Sequence, residues 1–64
     1  MSMYLSETLH IDDNRRVILR YYDNVWSVVV YVHKDFGPQH YHFTDEKQAK
    51  SFRDYVYKDL SQNI

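Results

Sequence analysis

The chain contains no cysteine, and its one glycine and one proline stand side by side at Gly37-Pro38. Without thiols there is no disulfide framework, no thiolate nucleophile and no cysteine-based zinc knuckle, so stability has to come from packing or from oligomerisation. With glycine this scarce, no loop can cradle a phosphate through successive backbone N–H groups. No flexible linker, low-complexity tract or repeat interrupts the chain between Met3 and Leu60. The longest apolar stretch, Val28 to Val32, is far shorter than a signal peptide or a membrane span requires. An excess of positive charge is missing too: 8 Lys and Arg against 9 Asp and Glu leave a formal net charge of -1. Autonomous nucleic-acid binders usually carry the basic excess that this chain lacks as a whole. These absences predict a soluble, cytoplasmic protein. Its 64 residues (1–64) form a single small domain, because a chain this short can barely close one core.

Aromatic residues, in contrast, make up 17% of the chain, seven of them Tyr. That is more Tyr than a small core can hold, so some rings must be exposed, where Tyr often serves recognition. The segment from Tyr21 to His33 reads as a β-hairpin: β-branched and aromatic residues fill both arms, and Asp23-Asn24 supplies a two-residue turn that tolerates positive φ. With Tyr22 opposite Val25, Tyr21 faces Trp26, Leu19 faces Val28 and Val17 faces Val30, which makes one side of the hairpin uniformly apolar. The other side carries Arg16, Ile18, Arg20, Tyr22, Ser27, Val29, Tyr31 and His33.

A first strand is expected from about Tyr4 to Ile11, where Leu5, Leu9 and Ile11 alternate with Ser6, Thr8 and His10. A loop in which Asn14 takes a left-handed bulge position pairs Ile11 with Arg15 and sets Leu9 beside Val17. After the hairpin, Lys34-Asp35-Phe36-Gly37 reads as a type I turn closed by a glycine bulge, making His33 the neighbour of Pro38. That parity puts Tyr41 and Phe43 on the apolar side and His40 and His42 on the other. The short fourth strand begins at Pro38 and lies at a sheet edge. Asp45 with Gln48 matches a capping box, which starts a helix running to about Leu60. Ala49, Phe52, Tyr55 or Val56, and Leu60 form its buried stripe, while Lys50, Arg53, Asp54, Tyr57 and Lys58 point to water. The expected fold is α+β: a four-stranded antiparallel β-meander with one C-terminal α-helix packed on one sheet face (ββββα).

Candidate chemistry is sparse. His40-x-His42 with His33 on the neighbouring strand is the one histidine group with plausible proximity, but no carboxylate falls on the same patch, and no metal or other cofactor is expected. The serines and threonines lack a glycine-flanked elbow and a base, and Asp12-Asp13 suits a solvated turn, so an enzyme is not expected. What remains is the uncovered sheet face: Arg16, Ile18, Arg20, Tyr22, Val29, Tyr31, His33, His40 and His42. It is richer in Arg and Tyr, the types enriched at binding hot spots, than a merely solvated face requires. Trp26, opposite Tyr21, is expected to be core.

The run Trp26-x-Val28-x-Val30 with Gly37, Phe43, Thr44 and Ala49 resembles the layout of arm-type DNA-binding domains of tyrosine recombinases, over about two thirds of the chain. Those domains carry Lys and Arg where this chain has Pro38, Gln39, His40, Tyr41 and His42. The ββββα order is likewise similar to single-stranded-DNA-binding transcription coactivators, without shared motif residues. Neither resemblance assigns a family. The expected function is a non-catalytic protein-binding module, a small adaptor or inhibitor of the kind phages and mobile elements encode, that meets a larger protein through its sheet face. Nucleic-acid binding through the same Tyr, Arg and His is the second reading. Self-association is expected as well, through the Ile18/Val29 pair or the edge at residues 39 to 43, since a core without staples is marginal.

Overall fold

The computed structural model describes residues 4–32 and 37–62. Four strands, β1 (Leu5–His10), β2 (Arg16–Tyr22), β3 (Val25–Tyr31) and β4 (Gln39–Phe43), form one antiparallel sheet in the order β1-β2-β3-β4. Helix α1 (Glu46–Gln62) packs across β2, β3 and β4. The expected ββββα architecture is therefore present.

The β2–β3 turn follows from two residues. Asp23 and Asn24 both have positive φ, 53° and 65°, the paired left-handed geometry whose twist matches a two-residue hairpin. Tyr22 pairs with Val25, Tyr21 with Trp26, Leu19 with Val28 and Val17 with Val30, as the sequence predicts. Between β1 and β2 the pairing is also the expected one, with Leu9 beside Val17, but the loop achieves it differently. Asn14 is not left-handed. Instead the Ile11 and Asp12 N–H groups both donate to the Arg15 carbonyl (3.0 and 3.3 Å), and Asp12 Oδ1 accepts from the Asn14 and Arg15 N–H groups at 2.9 Å each. A side-chain cap thus replaces the left-handed residue. Arg15 locks the loop, donating to Asp12 Oδ2 from Nε and Nη2 and to the Leu60 carbonyl from Nη1.

The β3–β4 pairing departs from expectation by two residues. A His33–Pro38 pair would set Phe43 opposite Val28; here Tyr41 lies opposite Val28 and Phe43 opposite Trp26. A shift of two keeps every side chain on its face, so Tyr41 and Phe43 still lie on the helix side. The expected turn at Lys34-Asp35-Phe36 lies outside the described residues.

Val17, Leu19, Val28 and Val30 are buried with Ala49 of the helix, ringed by partly buried Leu5, Trp26, Phe43, Phe52, Val56 and Leu60. Asp45 caps the helix, its Oδ2 accepting from the Gln48 N–H at 3.2 Å. Of Tyr55 and Val56 it is Val56 that joins the stripe, Tyr55 staying 64% exposed. Tyr57 differs from expectation and packs against the core, because the buried face is broad enough to take the position beside Val56 on the β1 side. Arg53 does not point to water but bridges to Glu7 at 3.2 Å, which explains how a carboxylate sits on the helix-facing side of β1.

Trp26 is only partly buried, at the end of the core, its ring 4.5 Å from that of Tyr21. The expected core position is thus met in part: the ring packs against the core without being fully buried. Helix α1 begins after Phe43, opposite Trp26, and so leaves that end of the sheet partly uncovered.

Candidate interaction face

The strand register turns the uncovered side of the sheet into rows of side chains. One row runs His10, Arg16, Tyr31; the next Thr8, Ile18, Val29, His40; the next Ser6, Arg20, Ser27, His42; and at the turn end Tyr22 lies opposite Val25. Tyr4 extends this last row, its ring edge-on to that of Tyr22 with centroids 6.2 Å apart. All predicted site residues within the described part of the chain are thereby brought onto one face. His33 lies outside the described residues.

This face is not uniformly open. Ile18 and Val29, opposite each other at its centre, are only 6% and 1% exposed, although the helix lies on the other side of the sheet. Long polar side chains flank them on this face. Arg16 lays its guanidinium carbon 4.3 Å above the Tyr31 ring centroid, a cation–π contact one row along from the pair. Arg20, half-buried, stands one row along on the other side. The sheet therefore has a small second apolar nucleus, flanked by long polar side chains whose stems can roof it.

Electrostatically the face is one-sided. Among the described residues none of its strand positions carries Asp or Glu: Asp12, Asp13 and Asp23 are in turns, Glu7 faces the helix side, and Asp45, Glu46, Asp54 and Asp59 lie on or next to α1. Among the described residues it holds two Arg, while the other five Lys and Arg stand against eight acids: +2 on the face and -3 elsewhere. Three histidines, His10, His40 and His42, are exposed on it.

The pattern of arginine pairing sharpens this asymmetry. Arg15 binds Asp12, and Arg53 binds Glu7 and Asp54. The other two arginines, Arg16 and Arg20, have no carboxylate among the described residues; Arg16 stacks on Tyr31, and the Nε of Arg20 is buried without an acceptor. No group of three or more His, Asp or Glu placed to hold a metal ion occurs among the described residues. Tyr4 and His10 belong to the face but are missing from the residues expected there. The signal was available, since the Leu9–Val17 register fixes the outward parity of the whole first strand.

A separate cleft of about 310 Å³ opens between β4 and the helix, lined mainly by Tyr41, Phe52, Tyr55, Val56 and Leu60. No helix among the described residues is long and apolar enough to cross a membrane. In comparisons with known proteins, the chain matches no protein-family model, no curated protein and no solved structure.

Proposed function

We propose that this chain is a non-catalytic protein-binding module of the cytoplasm that engages a larger partner, as an adaptor or inhibitor, through the outer face of its sheet. The observation that supports this reading most is the segregation of side chains: among the described residues, Arg, Tyr and His gather without a carboxylate on the sheet face away from the helix. Four strands about 4.8 Å apart, the two central ones seven residues long at about 3.3 Å each and the outer two shorter, present a patch of at most roughly 19 by 23 Å, before side-chain relief is counted. That is enough for a compact protein–protein contact at the small end of the usual range. A flat sheet offers no enclosure from water, which fits binding better than catalysis.

A protein partner is favoured over nucleic acid by the Arg16–Tyr31 stack. A sheet that binds single strands presents free ring faces to successive bases, and here the Tyr31 face is already occupied while Tyr4 and Tyr22 cluster at one corner. Capture from the native host with wild type, Arg16→Ala/Arg20→Ala and the helix variant Lys58→Ala tests the proposal. A partner lost only with the double arginine variant supports it; one retained by that variant, or lost equally with Lys58→Ala, refutes it. An oligonucleotide that binds at low salt, with affinity falling steeply as salt rises, gives the face to nucleic acid instead.

A further inference from the structure

Arg20 is the least compensated charge on the outer face. Its cross-strand neighbours are Ser6 and Ser27, its neighbours along β2 are Ile18 and Tyr22, and His42 lies beyond Ser27 in the same row. None of these supplies an anion, and the Nε is sealed from solvent with no acceptor. A guanidinium stays charged at any physiological pH, so a half-buried one cannot escape this situation by losing its proton. Removing a charge from water without pairing it is unfavourable, and the fold tolerates it here while giving carboxylates to Arg15 and Arg53. Arg16, four positions along the same strand and therefore about 13 Å away, repeats the pattern with an aromatic ring in place of an acid.

We infer that the outer face receives an acidic segment of a partner protein, with Arg20 donating to one carboxylate and Arg16 to a second about 13 Å away. This rests on the protein-binding reading and specifies its chemistry. The occupant is not a second copy packed face to face. Such a pairing would bring four arginines and six exposed histidines together with no carboxylate between them among the described residues, a like-charge juxtaposition. The +2 against -3 division of charge also orients an acidic partner toward this side before contact.

Poly-L-glutamate at low ionic strength is a suitable probe, followed by amide shifts in the 15N-labelled chain. Shifts are expected on β2 and β3 around Arg20, and Arg20→Gln should weaken binding by ~10- to 100-fold, the range of one charge-assisted hydrogen-bonded contact. Arg20→Lys, which keeps the charge but not the planar fork, should recover only part of that loss. Lys47→Gln and Lys58→Gln on the helix should bind like wild type, and a thermal melt of each variant confirms that it is folded. No binding, shifts confined to the helix, or equal losses from the lysine variants overturn the inference. So does tighter binding of a single-stranded thymidine oligonucleotide through the same two arginines. If a captured host partner cross-links to the outer face but poly-L-glutamate does not displace it, the acidic assignment fails while the binding face stands. If that partner cross-links to the helix, the underlying reading fails.

Discussion

Val29→Thr is the substitution that best separates a packed outer face from a merely solvated one. Valine and threonine have nearly the same shape, so the change leaves no cavity, but it exchanges a methyl for a hydroxyl at a side chain only 1% exposed. Losing the burial of that methyl costs about 0.8 kcal/mol. Sealing in a hydroxyl without a partner adds about 1–3 kcal/mol. The expected loss is therefore about 2–4 kcal/mol. At roughly 0.05–0.15 kcal/mol per residue, a domain of this length holds only about 3–10 kcal/mol in total. Each kcal/mol moves the melting temperature of so small a domain by about 4–8 °C, so circular-dichroism melts should show a fall of at least ~8 °C. Val25→Thr, on the same face but 41% exposed, is the control and should shift the melt by no more than a few degrees. If Val29→Thr melts within that same narrow range, the roof over the Ile18/Val29 pair does not form in solution. The pair would then be an exposed apolar patch.

Three further outcomes are expected. Trp26→Ala should lower the melting temperature more than Tyr31→Ala, by about 2–3 kcal/mol for a partly buried ring, and the reverse order would mean that the two faces are wrongly assigned. The Asp12 carboxyl is held below its ordinary value of 3.8, first by the side-chain hydrogen bonds from Arg15 and then by the Asn14 backbone N–H. Its contribution to stability is accordingly present above that value and lost as pH falls below it toward the lowered one; an NMR titration should show the low midpoint rising in Arg15→Gln, and an unchanged midpoint would refute the cause. Sedimentation at high micromolar concentration should show self-association by the β4 edge, with amide protection gained across residues 39 to 43, and monomer alone would refute it.

The sequence was legible where chemistry fixes geometry. Asp23-Asn24 permits one short hairpin, and that determines the β2–β3 register and with it both faces of the central strands. It was illegible where two answers share a pattern. A two-residue slip between β3 and β4 leaves every apolar residue on its face, so alternation alone could not distinguish Tyr41 opposite Val28 from Phe43 opposite Val28. The burial of Ile18 and Val29 was hidden for a different reason: it depends on where the arginine and tyrosine side chains lie, which no periodicity encodes. Arg53 and Glu7, distant in sequence and unremarkable in pattern, meet only because the helix crosses the sheet beside β1.

Net charge misleads most in a chain like this one. A total of -1 argues against a polyanion-binding protein only if charge is spread evenly, and the fold divides it sharply. The division has a structural origin in the meander: among the described residues the turns, the helix with its cap and the helix-facing side of β1 take the acids, while β2, an interior strand, carries Arg16 and Arg20 outward. The same placement limits how copies of the chain can meet. Burying the outer face against itself would desolvate four like charges, which favours self-association through a sheet edge, and of the two edges β4 is the one not next to β2, so a strand can add there away from those arginines. Partner binding and self-association then use different surfaces, and Arg20→Gln should weaken the first without shifting the monomer–dimer equilibrium. A variant that lost both together would show that one surface serves both and would refute the separation.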